Sequence, residues 1–289
     1  MHRRQSSGPH VANRLSCVCA PEPLYQFKNP ALVVGHPGHE LRVFGWMSEY
    51  RPLAHVITDG SGRQGVSRVP STYRLVERLG ASVGTVFGAI SDVETYRAIL
   101  QTDTAFFIDI VSDLAASFVR HRIDFVAGDA AEGYNPTHDL CRAMVNAAAS
   151  IAGRSTGTPV ANYEFRLAEW EQEFSVAHGE RCLHLRLNDD LLHQKLEAAE
   201  QYVEMQAETR RGIEQRGEDY FRVECLQRVQ AISRSHPAAE KPFYERFGEE
   251  RVTAGQYASV IRFNEHILPI MDALFDYAHT NLQARSHGT

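Results

Sequence analysis

The sequence contains little lysine and no long apolar run. Only three of its 30 basic residues are lysines, and the 36 acidic residues leave a net charge of −6. This balance has the wrong sign for a protein that binds nucleic acid or an anionic membrane surface through bulk charge. The most apolar stretch, residues 104–119, is interrupted by Asp109 and Asp113, so no segment is predicted to span a membrane. We therefore expect neither nucleic acid nor a membrane as a partner.

Cysteine is also scarce, and its pattern indicates the compartment. The five cysteines are odd in number and form no CxxC pair, which favours a reducing cytoplasm over a secreted disulfide scaffold. The first 23 residues lack the apolar region of a signal peptide. With 289 residues, 43% of them apolar, one core suffices for stability. A bound metal would accordingly be expected to serve chemistry.

Short apolar runs alternate with helical patterns along most of the chain. We predict strands at 31–34, 55–58, 82–87, 124–127, 159–165, 182–187 and 220–229, and helices at 40–50, 70–79, 93–122, 137–152, 189–215 and 256–282. This alternation predicts an α/β protein with a Rossmann-like doubly wound, mostly parallel sheet, helices on both faces and a C-terminal elaboration. Residues 1–24 are predicted to be a polar N-terminal tail that is disordered unless docked, and residues 25–285 a single domain.

Histidines and acids follow three of the predicted strands. His36 and His39 come after the first strand, Asp59 after the second, and His138 opens the helix after the fourth. Ligands of open parallel sheets bind at the carboxyl ends of the strands. Three histidines at that edge could hold Zn²⁺ and leave one position open for water. The alternative is that they are loop histidines hydrogen-bonded to backbone.

The order of these motifs resembles the LmbE, or PIG-L, family of zinc-dependent N-deacetylases. The family typically reads H-P-D-D-E, T-D-G, R-x-x-E and H-P-D-H. This chain has HPGHE at 36–40, TDG at 58–60, Arg68 followed by Ser71, and PTH at 136–138. The resemblance covers about residues 30–150, with a weaker echo of a K-x-x-A helix at 195–199. It implies that His36, His39 and His138 bind zinc, with His39 in place of the family's aspartate.

The chain departs from the family where the catalytic base is expected. The family's general base, the first aspartate of H-P-D-D-E, falls on Gly38, and Ser71, Asn135 and Thr137 replace a glutamate, a histidine and an aspartate. Loss of a positioned base typically costs roughly 10² to 10⁴ in rate. Either another group has taken that role or the reaction has changed.

Three acids lie on the loop that carries His138 and could replace the base. They are Asp129, Glu132 and Asp139. We favour Glu132, six residues before His138; a loop carboxylate in solvent is its alternative reading.

Four further residues have candidate roles at the same edge. Tyr134 and Asn135 could donate hydrogen bonds to a developing oxyanion, or be a packed aromatic and a helix-entry turn. Arg68 matches the family's substrate-contacting arginine but could be a surface residue. Asp59 is expected to orient its loop through backbone hydrogen bonds, with a direct part in substrate binding as the further role.

The leading functional hypothesis is a zinc-dependent hydrolase of an amide. Its substrate would be a small molecule, an N-acyl amino sugar or a related polar metabolite, as the resemblance implies. The alternatives are a zinc enzyme of another reaction type, such as a hydratase, and a non-catalytic binding protein with the same fold. The oligomeric state is left open, with a homo-oligomer allowed.

Overall fold

The structure, a computed structural model, describes residues 15–19, 27–62, 65–167, 182–230, 233–234 and 240–280. Its strands are β1 Leu15–Cys19, β2 Pro30–Val34, β3 Leu53–Thr58, β4 Ser82–Ile90, β5 Phe125–Asp129, β6 Ala161–Phe165, β7 Cys182–Leu187 and β8 Val223–Arg228. Its helices are α1 Phe44–Tyr50, α2 Val69–Arg78, α3 Asp92–Leu100, α4 Thr104–Arg120, α5 Pro136–Thr156, α6 Asp189–Gln201, α7 Gln206–Arg216, α8 Phe243–Thr253 and α9 Leu268–Thr280.

The strands form one mixed sheet in the order β1-β7-β8-β6-β5-β2-β3-β4. The five strands β6, β5, β2, β3 and β4 are parallel to one another, and β8, β7 and β1 continue the sheet with antiparallel pairing. From β2 the chain adds β3 and β4 on one side of the sheet, and from β5 it adds β6 on the other. The boundary between these two central strands is where α/β sheets open a ligand crevice.

Helices cover both faces of the sheet because the central strands are apolar on both. Ala31 and Val33 of β2 pack with α4, α5 and α9 on one face. Leu32 and Val34 pack with α1 and α2 on the other. Every residue of β2 and of β5 is buried. The predicted α/β class with a doubly wound, mostly parallel sheet is thus confirmed.

Some predicted boundaries were wrong. Residues 15–19 of the predicted disordered tail form β1, which pairs with β7; the rest of that tail lies outside the described residues. The helix predicted at 93–122 is two helices, because Thr102 has a φ of 50° and Asp103 caps the second by accepting a hydrogen bond from the Phe106 amide. The helix predicted at 189–215 is likewise interrupted by a 3-10 turn at Val203–Met205.

No helix in the described part of the chain is both long enough and apolar enough to cross a membrane.

Candidate metal centre

Three histidine rings meet at the carboxyl ends of β2 and β5. His36 and His39 lie in the loop after β2, and His138 lies in the first turn of α5. The ring centres are 5.3 Å apart for His36 and His39, 5.2 Å for His36 and His138, and 4.5 Å for His39 and His138. The structure therefore brings together the three residues that the sequence predicted as a group.

Two polar side chains orient the ring of His36. Its Nδ1 lies 2.7 Å from Thr58 Oγ1 and 3.1 Å from Asp92 Oδ1. The Thr58 hydroxyl donates its own hydrogen to the Gly35 carbonyl. We therefore assign the proton of the hydrogen bond between His36 and Thr58 to His36 Nδ1. This leaves a lone pair on Nε2, which is buried and has no hydrogen-bond partner among the described residues.

Asp92 is held as a carboxylate beside His36. Its Oδ2 also accepts a hydrogen bond from the Gly62 amide at 2.7 Å. Burial would raise the pKa of Asp92, but the hydrogen bond and charge of His36 hold it well below its usual value. An ionised acceptor fixes the histidine tautomer and makes Nε2 a better metal ligand.

His39 is oriented in the same way by Asp129. Its Nδ1 lies 2.8 Å from Asp129 Oδ2, which also accepts a hydrogen bond from the Gly35 amide at 2.8 Å. Burial would raise the pKa of Asp129, but the neighbouring His39 lowers it below its usual value. The ionised carboxylate can only accept, so His39 Nδ1 donates, and in a neutral ring Nε2 would carry the lone pair.

His138 is kept neutral by its surroundings. Burial and, after it, the nearby His39 lower the pKa of His138 to about 2. Its Nδ1 is buried and makes no hydrogen bond within the described residues. Neutral imidazole is the form that binds zinc, so His138 offers a suitable donor.

The position where the family has its catalytic base is Gly38, and Met205, which is distant in the sequence, lies against it. Gly38 has a φ of 105°, and a Cβ placed on it would lie 2.1 Å from Sδ of Met205. The Gly38 amide also donates a 2.7 Å hydrogen bond to Glu40 Oε2. The left-handed backbone therefore strains any other residue at this position, and the methionine side chain would have to move to admit one.

Glu40 is buried within this turn. Burial raises its pKa to about 7, although hydrogen bonds from Thr72 and from backbone amides act in the opposite direction. The segment Tyr202–Met205 packs over the same region, where the Tyr202 and Thr72 side-chain oxygens lie 2.7 Å apart. The start of α2 and this segment together cover the loop after β2.

Glu132 lies in the loop between β5 and α5, and Asp139 lies in the first turn of α5. Asp139 Oδ1 accepts hydrogen bonds from the amides of Glu132 and Gly133, each at 3.0 Å. Burial raises the pKa of Asp139 to about 7. Glu132 Oε2 accepts a 2.8 Å hydrogen bond from the Leu167 amide. These contacts fix the loop, and the role of Glu132 as a base stays a prediction.

Tyr134 and Asn135 make contacts that stabilise the fold. Tyr134 is half exposed and stacks on Phe243, with ring centres 5.1 Å apart. Asn135 caps α5 by accepting a 2.8 Å hydrogen bond from the Thr137 amide. Their predicted part in oxyanion stabilisation remains untested by these contacts.

Asp59 and Arg68 lie together in the loop after β3. Asp59 Oδ1 accepts hydrogen bonds from the amides of Ser61 and Asp92, at 2.9 and 3.2 Å. The Arg68 amide donates to the Asp59 carbonyl at 2.8 Å, and Arg68 itself is partly exposed. Asp59 thus tethers the segment that presents Asp92, whereas substrate binding by Asp59 or Arg68 stays a prediction.

Sequence reasoning missed the orienting role of two acids and the position of Met205. Asp92 comes two residues after β4, at the same sheet edge as the histidines. An acid directly after a predicted strand is a sequence signal that could have identified it. The sequence indicates Asp129 only as a candidate base. No local pattern indicates that Met205 lies over Gly38, because 167 residues separate them.

A tighter group of candidate ligands lies elsewhere in the sheet. The ligand atoms of Cys182, His184 and Cys225 all lie within 4.8 Å of one another. The ring nitrogen atoms of His36, His39 and His138 do not all lie within that distance of one another. What distinguishes the histidine site is its buried lone pairs and the carboxylates behind two of its rings.

Comparisons with known proteins add structural likenesses. No family model and no curated protein matches the sequence. The structure is similar to that of the A40926 pseudoaglycone deacetylase Dbv21, at 14% identity and a TM-score of 0.47, over 70% of this chain and 96% of that one. It is also similar to the zinc inhibited form of teicoplanin deacetylase Orf2, at 12% identity and a TM-score of 0.46, over 72% of this chain and 100% of that one. Both of these solved structures are of deacetylases.

Proposed function

We propose that this protein is a zinc-dependent hydrolase whose metal is held by His36, His39 and His138. The observation that carries the proposal is the pairing of His36 with Asp92 and of His39 with Asp129 beside a third neutral histidine. Histidine ligands of catalytic zinc sites typically donate their second ring N–H to a carboxylate or carbonyl. A structural role alone would not require two buried carboxylates behind adjacent rings.

The donor set fits zinc. Three imidazoles with an open fourth position are a catalytic zinc pattern, and the buried lone pair of His36 Nε2 lacks another partner among the described residues. When bound, zinc would activate a water molecule and polarise a carbonyl group. The carboxylates of Asp92 and Asp129 hold the ring tautomers, and the burial of His36 and His138 limits access of solvent.

The substrate we propose is an amide of a small polar molecule, an N-acyl amino sugar or a close relative. The motif resemblance supports this choice. Within the proposal Glu132 acts as the base, Tyr134 and Asn135 stabilise the oxyanion, and Arg68 and Asp59 bind the substrate. The proposal also places the protein in the cytoplasm.

One observation favours a second candidate. Met205 fills the space above Gly38 where the family's carboxylate would lie. A metal protein that catalyses another reaction, such as addition of water to an unsaturated acid, or that only binds its ligand, would not need that carboxylate.

The test combines metal content with turnover. Zinc bound per chain is measured for the wild type, for His39→Ala and for the matched control His121→Ala, whose histidine is exposed at the end of α4. A panel of N-acetylated amino sugars is then assayed for release of acetate. Zinc loss in His39→Ala alone, together with acetate release by the wild type, supports the hydrolase. Zinc without any turnover would favour the second candidate, and equal zinc in all three proteins would overturn the metal site.

A further inference from the structure

We propose a second metal site, separate from the histidine site, in which Cys182, His184 and Cys225 bind one zinc ion. It lies on the antiparallel part of the sheet, on β7 and β8. His184 is the register partner of Cys225, and Cys182 is two residues before His184 on the same strand. Side chains two apart on a strand share a face, as do directly paired residues. The backbone therefore places all three ligands on one face of the sheet.

The opposite face of these strands belongs to the core. Leu183, Leu185 and Leu226, which alternate with the three ligands, pack with the residues of α1 and β5. Apolar packing on the other face fixes the register of β7 against β8, because a slip by one residue would expose these leucines. The ligand spacing is thus held by the fold in the absence of metal.

The atoms are already close to the spacing that zinc requires. All ligand atoms of Cys182, His184 and Cys225 lie within 4.8 Å of one another. In a tetrahedral site with Zn–S of about 2.3 Å, two thiolate sulfurs lie about 3.8 Å apart. Rotation about side-chain bonds covers a difference of this size, and no backbone movement is needed.

The donor set selects zinc over hard cations. Cys182 and Cys225 carry thiols, and both side chains are buried. Two thiolates and an imidazole favour zinc over magnesium or calcium, which prefer oxygen ligands. The two thiolate charges would neutralise the ion, and binding would release the two thiol protons to solvent.

The distribution of cysteine points to the same region. Four of the five cysteines of the chain lie on the neighbouring strands β1, β7 and β8, the exception being Cys141 in α5. A metal here joins two strands that are 43 positions apart at Cys182 and Cys225. It would act as a cross-link of the antiparallel extension, in contrast to the chemical role expected of a metal from chain length alone.

The test uses cobalt as a spectroscopic probe of thiolate ligation. The full chain is stripped of metal under reducing conditions and loaded with Co²⁺ alone. We expect an intense thiolate-to-cobalt charge-transfer band in the near ultraviolet, which histidine ligands do not produce. The band should weaken in Cys182→Ser and in Cys225→Ser, be lost in the double serine variant, and be kept in Cys141→Ala and in His39→Ala. Absence of the band in the folded wild type, or its full intensity in the double serine variant, would overturn the site.

Zinc release provides a second measurement that does not depend on variants folding. Titration of the native wild type with an organomercurial releases zinc from thiolate sites, and a chromogenic chelator counts it. One zinc per chain released in step with thiol modification supports the site. Thiol modification without zinc release, or a loss of two mass units to a Cys182–Cys225 disulfide in zinc-loaded protein, would contradict it. Because the histidine site has no thiolate, failure of the proposed hydrolase would leave both readouts unchanged.

Discussion

Asp129 joins the two halves of the histidine site through one carboxylate oxygen. Its Oδ2 accepts hydrogen bonds from His39 Nδ1 and from the Gly35 amide, both at 2.8 Å. The loop after β2 and the end of β5 are thereby fixed relative to each other, and the ring of His39 can take only one orientation. The site depends on this acid as much as on the imidazoles.

We predict that Asp129→Asn weakens zinc binding about 10- to 100-fold, the usual effect of losing an orienting carboxylate. Asp92→Asn should act similarly through His36. Competition with a chelator of known affinity measures the change, with the exposed Asp113→Asn as the control. Unchanged zinc affinity in both variants, with the fold intact, would mean that these acids do not support metal ligands.

Gly38→Asp should destabilise the protein and should not create hydrolytic activity. The left-handed φ of Gly38 and the 2.1 Å approach of Met205 Sδ to a Cβ together predict a loss of about 2 kcal/mol or more in the free energy of unfolding. Urea denaturation measures it. Gly38→Ala should lose a similar amount, and adding Met205→Ala should restore part of it. A gain in turnover by Gly38→Asp alone would show that the space is available to a carboxylate.

Glu132→Gln tests the replacement base. If Glu132 takes the proton, turnover should fall roughly 10²- to 10⁴-fold while zinc content stays the same. The hydrogen bond from the Leu167 amide can persist to the amide oxygen of glutamine, so the loop should keep its position. Turnover equal to wild type would remove Glu132 from the mechanism.

Lys195→Met should destabilise the protein by about 3–5 kcal/mol. Lys195 Nζ lies 2.9 Å from Glu224 Oε1, and both side chains are buried. Glu224 also accepts hydrogen bonds from the amides of Gly45 and Trp46. Removing the lysine leaves a buried carboxylate without its cation. The control is Lys241→Met, which breaks the more exposed pair of Lys241 with Glu249 and should cost at most about 1 kcal/mol. Equal losses in the two variants would contradict the prediction.

His55 should make stability fall as the pH is lowered from about 6.5 to 4. Burial lowers the pKa of His55 to about 4, whereas an unfolded histidine titrates near about 6.5. In that range the unfolded chain binds more protons, so the contribution lost at pH 4 is about 3 kcal/mol. Unfolding free energies of the wild type and His55→Gln, measured across this range, should show a shallower dependence in the variant. Parallel curves for the two proteins would contradict the assignment of this pH dependence to His55.

The sequence predicted the central strands and the histidine cluster because both depend on local patterns. Residues 31–34 and 125–127 are apolar without interruption, which predicts strands buried on both faces, and the segments after them carry His36, His39 and His138. By contrast, β1 is a short strand with mixed side chains, and its partner β7 lies more than 160 residues away in the chain. Such a pairing leaves no local signal.

The partners within the site depend on tertiary structure in the same way. Several acids follow β5, and only the path of the backbone decides that Asp129 reaches His39 while Asp139 turns back to the amides of its own loop. The motif also showed that Gly38 lacks a carboxylate. That Met205 occupies the space could not be read from either segment alone.

The contact between β3 and β4 constrains how this chain can vary. His55 is wholly buried, and a Cβ on Gly84 would lie 2.3 Å from its ring. The imidazole occupies the volume that any other residue at position 84 would need, so the two positions are not independent. Among related sequences, a side chain at the position of Gly84 should therefore occur together with a smaller residue at the position of His55, and covariation between them would be visible even where neither residue touches the metal centre.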